Sequence, residues 1–252
     1  MVDWYGLGWF VFSLAALVLL QRRLHFEIQA IFILLFGRAE IAMVLFSLLL
    51  FPGVFLHEIS HFFMAGLLGV RIGRFSLWPR PMSDNRLQLG FVETASTDWV
   101  RDALIGISPL LAGGAFVAYT GLGPLGLLTV WDSLVGKNVQ NMLATLGGWK
   151  VGSDFYLWLY LTFAVSSTML PSSSDRKSLL PLLIIVCSLI AVAVFVGAGP
   201  WMLANFSPLL NRLFQALTMV FSISAGVHIV VLLPSWMVRK LIGRLRGQTV
   251  VS

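Results

Sequence analysis

Long apolar runs separated by short polar ones dominate the chain, at about 6–20, 41–68, 103–129, 154–170, 179–197 and 211–235. A helix needs about 20 apolar residues to cross a bilayer. The pattern predicts an all-α polytopic membrane protein with about six transmembrane helices. The stretch 24–37, LHFEIQAIFILLFG, is short and carries His25 and Glu27. It fits either a short span or an interfacial helix, which leaves the orientation of the N-terminus open. The first run has Asp3 ahead of it, no Lys or Arg before it and no small-residue cleavage site after it, so 6–20 reads as a retained span.

Between the second and third spans the period changes. VRIGRFSLW and RLQLGFVE carry β-type residues, with Leu87, Leu89 and Phe91 on one side, around the turn-rich PRPMSDN. This predicts a short β-hairpin. Ser96 or Thr97 is the expected cap of the helix that follows. In that helix, Gly106, Ser108, Gly113 and Gly114 form a small-residue face suited to close helix packing. Pro52 cannot donate to Leu48 and predicts a kink in the second apolar run.

Composition agrees with a membrane setting: 58% of residues are hydrophobic, 11% are charged and mean hydropathy is +0.89. The net charge of +6 raises nucleic acid as a partner. No basic, aromatic-interleaved polar domain accompanies it, so the lipid bilayer is the expected partner and nucleic acid is not. The single cysteine, Cys187, sits in LLIIVCSLIA and is expected as a small buried side chain. Lys and Arg gather in 70–102, at Arg176–Lys177 and in the tail with Arg239, Lys240, Arg244 and Arg246. The alternate loops 130–153 and 198–210 hold only Lys137 and Lys150. The positive-inside tendency then places 70–102, 171–178 and the tail in the cytoplasm of a multi-pass cell-membrane protein.

The second run holds FLHEISHFFMAGLLG, with His57, Glu58 and His61 in otherwise apolar sequence. An ionised carboxylate near a bilayer centre is unfavourable by roughly 3 kcal/mol or more, so these groups need a partner or a use. Residues four apart share a helix face, which puts His57 and His61 within reach of one Zn²⁺. Glu58 stands one position around, placed to act on the water that the metal would activate. A chain of this composition contains this arrangement by chance about 0.001 times. Competing readings are a metal-free His–Glu cluster and a proton relay in a transporter.

A catalytic zinc usually takes three protein ligands and an open position. Asp84, Glu93, Asp98 and Asp102 lie on or after the hairpin, and Asp132 and Asp154 fall at the opposite membrane face. His228, in SAGVHIVVLL, reads as a packed or hydrogen-bonded histidine. Asp175 is the best candidate, because it follows a span that ends at Pro171 on the side of His57.

The motifs FLHEISHFFMAGLLGV, a hairpin, ISPLLAGG and TMLPSSSD together resemble the site-2 protease family of intramembrane zinc metalloproteases. The resemblance covers about 41–178 and implies a metalloprotease core there, behind an N-terminal membrane region at 1–40. Further transmembrane helices and a basic cytoplasmic tail follow at 179–252. It implies Zn²⁺ held by His57, His61 and Asp175, with Glu58 as general base; the positive-inside reading puts this site toward the cytoplasmic side. It also implies a membrane protein substrate, cut within or near its spanning segment. Ser108-Pro109 stands where the family has Gly-Pro, and Thr168 stands where it has an asparagine that helps to hold substrate. Ser174-Asp175-Arg176 stands where it has Leu-Asp-Gly, one residue closer to the proline. The rival is a non-catalytic polytopic protein, either a transporter or a metal-binding scaffold.

Overall fold

A computed structural model describes residues 4–77, 80–81, 87–88, 90–95, 97–127 and 152–247. Its elements are α1 (Trp4–Phe36), α2 (Ala39–Leu49), α3 (Phe51–Leu67), β1 (Ile72–Ser76), β2 (Arg80–Pro81), β3 (Leu87–Gln88), β4 (Phe91–Thr94), α4 (Trp99–Leu122), α5 (Phe155–Ser166), α6 (Ser173–Phe195) and α7 (Gly199–Arg246). Asp84, Asp132, Leu89, Ser96, Lys137 and Lys150 lie outside the described residues.

Helices α1, α4, α6 and α7 are long and apolar enough to cross a membrane, and the bent pair α2–α3 brings the number to as many as five. Large apolar side chains such as Trp9, Leu111, Leu189 and Leu233 stand exposed on their outer faces, as a lipid-facing surface requires. The described residues thus hold four to five of the about six spans expected. The run 154–170 is an α-helix of only 12 residues, about 18 Å long at 1.5 Å per residue. The ambiguous 24–37 is neither a separate span nor an interfacial helix: it continues 6–20 in one helix of 33 residues. That helix carries polar side chains through its middle because other helices supply their partners. Gln21 Nε2 donates to the Ser167 carbonyl at 2.7 Å, and Glu27 pairs with Arg23 at 2.8 Å and also with Arg239.

The second run breaks at Leu50, and α2 and α3 meet at a 67° bend. Pro52 sits in the first turn of α3, where its missing N–H is no loss and its fixed φ suits a helix start. Close packing then draws α3 onto α5. A Cβ at Gly53 would lie 2.1 Å from the Ala164 carbonyl oxygen, so only glycine permits this approach. On α4, Gly113 does the same against Met169, whose Cβ would be 2.4 Å from one built there.

The predicted hairpin forms. β1 and β4 pair antiparallel, with Phe75 opposite Val92, and β2 pairs with β3. The cap of α4 is Asp98 rather than Ser96 or Thr97: its carboxylate accepts from the N–H groups of Val100 and Arg101 at 3.1 and 3.0 Å. Aspartate caps as well as serine, and its charge also suits a helix N-terminus. Cys187 is exposed on α6 rather than buried, because that helix turns nearly all of its surface outward.

Helices α1 and α7 run parallel. Phe10 stacks on Phe214 at 5.3 Å, Glu27 meets Arg239, and the Leu35 carbonyl accepts from Arg246 at 3.0 Å. Helix α5 runs against both: Val165 and Met169 cluster with Val220 and Phe221, while Phe155 and Leu159 lie with Val231 and Leu232. The basic end of α7 and the segment 171–176 therefore lie at opposite ends of α5. Arg38, Arg244 and Arg246 fall at one end, and Arg71, Arg74, Arg101, Arg176 and Lys177 at the other. Basic residues thus stand at both ends of the helix bundle. With basic residues at both ends, charge does not assign the sides.

Candidate metal centre

Three elements meet at the centre. α3 presents His57 and His61 one turn apart, α4 lies beside them, and the chain after α5 leads into Asp175 in the first turn of α6. One donor atom from each of His57, His61 and Asp175 lies within 4.8 Å of the others. The two Nε2 atoms are 3.2 Å apart. Asp175 Oδ2 lies 3.6 Å from His57 Nε2, and Oδ1 lies 3.5 Å from His61 Nε2.

The protonation of the rings follows from their partners. His57 Nδ1 donates to the Thr168 carbonyl at 2.7 Å and His61 Nδ1 to the Ile105 carbonyl at 2.8 Å. A carbonyl only accepts, so Nδ1 carries the proton in each neutral ring and Nε2 carries a lone pair. Two lone pairs facing each other at 3.2 Å repel unless a cation lies between them. A ring N–H held by a backbone carbonyl is also the usual support of a metal-binding histidine. Zinc bonds of about 2.0–2.1 Å with tetrahedral angles need donors roughly 3.3–3.4 Å apart. The two Nε2 atoms, 3.2 Å apart, come close to that spacing, while the 3.6 and 3.5 Å contacts of Asp175 are made by its two different oxygens. Two imidazoles and one carboxylate are a donor set whose chemistry suits a metal ion such as zinc.

Asp175 also caps α6. Its Oδ2 accepts from the N–H and hydroxyl of Ser172 at 2.8 and 2.6 Å, and the Ser172 hydroxyl accepts in return from the Asp175 N–H. This capping box holds the carboxylate at the start of the helix and facing α3.

Glu58 is buried, and among the described residues it has no hydrogen-bond or ion-pair partner. The hairpin closes over it. A Cβ at Gly90 would lie 2.8 Å from Glu58 Cγ and 3.1 Å from its Oε1. Any residue but glycine there would press on the carboxylate. Gly90 was not singled out by sequence reasoning; its signal is a lone glycine inside a strand pattern, which marks close approach of another group.

The other candidates have different places. Glu93 is exposed and paired with Arg74 at 2.9 Å. Asp98 caps α4, and Asp102 lies in its first turn. Asp154 accepts from Trp158 Nε1 at 2.7 Å. His228 is the packed histidine expected: it lies 5.6 Å from the Phe163 ring, donates to the Ser224 carbonyl and bonds the Ser167 hydroxyl. Thr168 reaches the centre through its carbonyl, while its hydroxyl bonds back to Ala164 and Val165. Ser108 is buried and donates to the Ile105 carbonyl at 2.7 Å, and Pro109 is fully buried beside it.

No protein-family model, no curated protein and no solved structure matches this chain.

Proposed function

We propose that the protein is a multi-pass membrane zinc endopeptidase of the site-2 protease type, cutting protein segments within or beside the bilayer. The observation that carries this reading is the convergence of the two Nε2 atoms and the Asp175 carboxylate, with both Nδ1 atoms on backbone carbonyls. His57, His61 and Asp175 would hold the ion. When bound, zinc supplies a Lewis acid that lowers the pKa of water toward about 7 and polarises a carbonyl.

The chain's own residues do the rest. Glu58 takes the proton of the attacking water on its carboxylate and returns it to the leaving amine. Its burial keeps bulk water from competing. The hairpin, in which β4 pairs with β1, could hold an extended substrate segment by strand addition, next to Gly90 and Glu58.

A proton shared between the two imidazoles would also relieve their repulsion, as in a metal-free relay. Metal content separates that reading from the first, and cleavage separates an enzyme from a metal-binding scaffold. The test co-expresses tagged single-span substrates with the wild type and with Glu58→Gln, and measures zinc in the purified proteins. We expect stoichiometric zinc in both and substrate fragments only with the wild type. Zinc-free wild type would overturn the metal assignment, and equal cleavage by both proteins would remove Glu58 from the chemistry.

A further inference from the structure

In an α-helix each carbonyl accepts from the N–H four residues on. For Ile105 that residue is Pro109, inside α4, which has no N–H to give. The Ile105 carbonyl is thereby open, and His61 Nδ1 and the Ser108 hydroxyl take it at 2.8 and 2.7 Å. The Thr168 carbonyl repeats the pattern by another route. Thr168 lies past the C-cap Ser167 of α5, where carbonyls lack a helical donor, and Pro171, three residues on, has no N–H to close a turn on it. Its donor four residues on, the Ser172 N–H, is committed to the Asp175 carboxylate at 2.8 Å. His57 Nδ1 takes the open carbonyl at 2.7 Å. Two elements thus offer a bare carbonyl at the height of a histidine, each beside a proline.

We infer that Pro109 and Pro171 are positioning residues: each withholds a backbone N–H so that one carbonyl, Ile105 for His61 and Thr168 for His57, fixes the tautomer and aim of a metal-binding imidazole. The inference rests on the metal-centre reading above. It makes the two sites unequal. A carbonyl oxygen has two lone pairs, and both at Ile105 are taken, so a new N–H at 109 must displace His61 or Ser108. At Thr168 one lone pair is spare, so a new N–H at 171 competes less.

The test is zinc affinity, measured on the purified full chain in detergent by competition with a chromogenic chelator. Loss of a ligand's supporting hydrogen bond typically weakens metal binding by about 10–100-fold. Pro109→Ala is expected to fall in that range and Pro171→Ala below it. Pro181→Ala, inside the lipid-facing α6, should match the wild type. The decisive variant carries lactate, the α-hydroxy acid analogue of alanine, at position 109. It lacks both the ring and the N–H, so it should regain wild-type affinity. A lactate variant as weak as Pro109→Ala would show that the proline ring, not the missing donor, matters, and would overturn the inference. Wild-type affinity in Pro109→Ala would overturn it too. If the 109 variants do not fold, the alanine and lactate pair at 171 makes the same test. A wild type that binds no zinc would instead bring down the metal-centre reading, and this inference with it.

Discussion

Glu27 and Glu58 are two buried glutamates, each in a predominantly apolar helix. Glu27 is fully buried, and Arg239 and Arg23 neutralise it from two sides. The same guanidinium groups flank the Phe26 ring at 5.8 and 5.4 Å. Glu58 has no such partner among the described residues. It sits one residue from a metal-type histidine and beneath a glycine of the hairpin. The contrast separates two uses of an acid in the membrane. A carboxylate given two arginines is fixed as a joint between helices. One left without an arginine, beside the His57–His61–Asp175 cluster, is, in the function proposed above, the group that accepts a proton.

The largest expected effect breaks the comparison at its chemical end. Glu58→Gln should reduce cleavage by about 10²–10⁴-fold, the scale of general-base catalysis, while the melting temperature and zinc content stay near those of the wild type. Glu27→Gln should fail in the opposite sense. Leaving arginines without their buried partner costs about 3–5 kcal/mol, read as a lower unfolding midpoint, with the remaining folded protein still cleaving at the normal specific rate. If Glu27→Gln folds normally and loses activity, the division of roles between the two acids is wrong.

Gly90→Ala sharpens the Glu58 side. Overpacking typically costs about 1–3 kcal/mol, and here the added methyl meets Glu58. Cleavage should drop without loss of zinc, and a wild-type rate would mean that the hairpin does not rest on the base. Asp98 supplies a third carboxylate, exposed and tied by hydrogen bonds to backbone N–H groups. The N–H of Arg101 leads in holding its pKa below the ordinary aspartate range. Because the folded-state pKa is the lower one, the cap contributes fully above the unfolded-state value. That contribution is lost as pH falls through the folded-state value. Asp98→Asn should keep the cap and flatten this small acid-side fall in melting temperature.

Orientation gives the gentlest test. With Cys187→Ser as background, single cysteines at Ser173 and Arg244 should react with an impermeant thiol reagent from opposite faces of the membrane. Labelling of both from one face would contradict the antiparallel course of α5 and α7.

What the sequence makes legible follows the range of each interaction. The His57–His61 pair, the hairpin and the break near Pro52 are local: each depends on residues a few positions apart, so spacing and turn chemistry reveal them. Asp175 lies more than a hundred residues away, and only its place after Pro171, together with the family-like motif, pointed to it. The continuity of α1 was hidden because Gln21 and Glu27 look like interruptions until Ser167 and Arg239 are in place. Gly90 and the open carbonyls of Ile105 and Thr168 were hidden for the same reason. A bare carbonyl becomes a site only when another helix brings a donor to it.

The pairing of α1 with α7 bears on how the protein is made. Arg239 is 212 residues downstream of Glu27, so at about 5–20 residues per second of synthesis the acid waits roughly 10–40 seconds for it. Through that interval Arg23, one turn away in the same helix, is the counter-ion within reach. A nascent chain halted before α7 would hold the acid on that one neighbour, exposed to whatever in the membrane inspects unassembled helices. Synthesis of α7 is thus the event that gives Glu27 its second arginine.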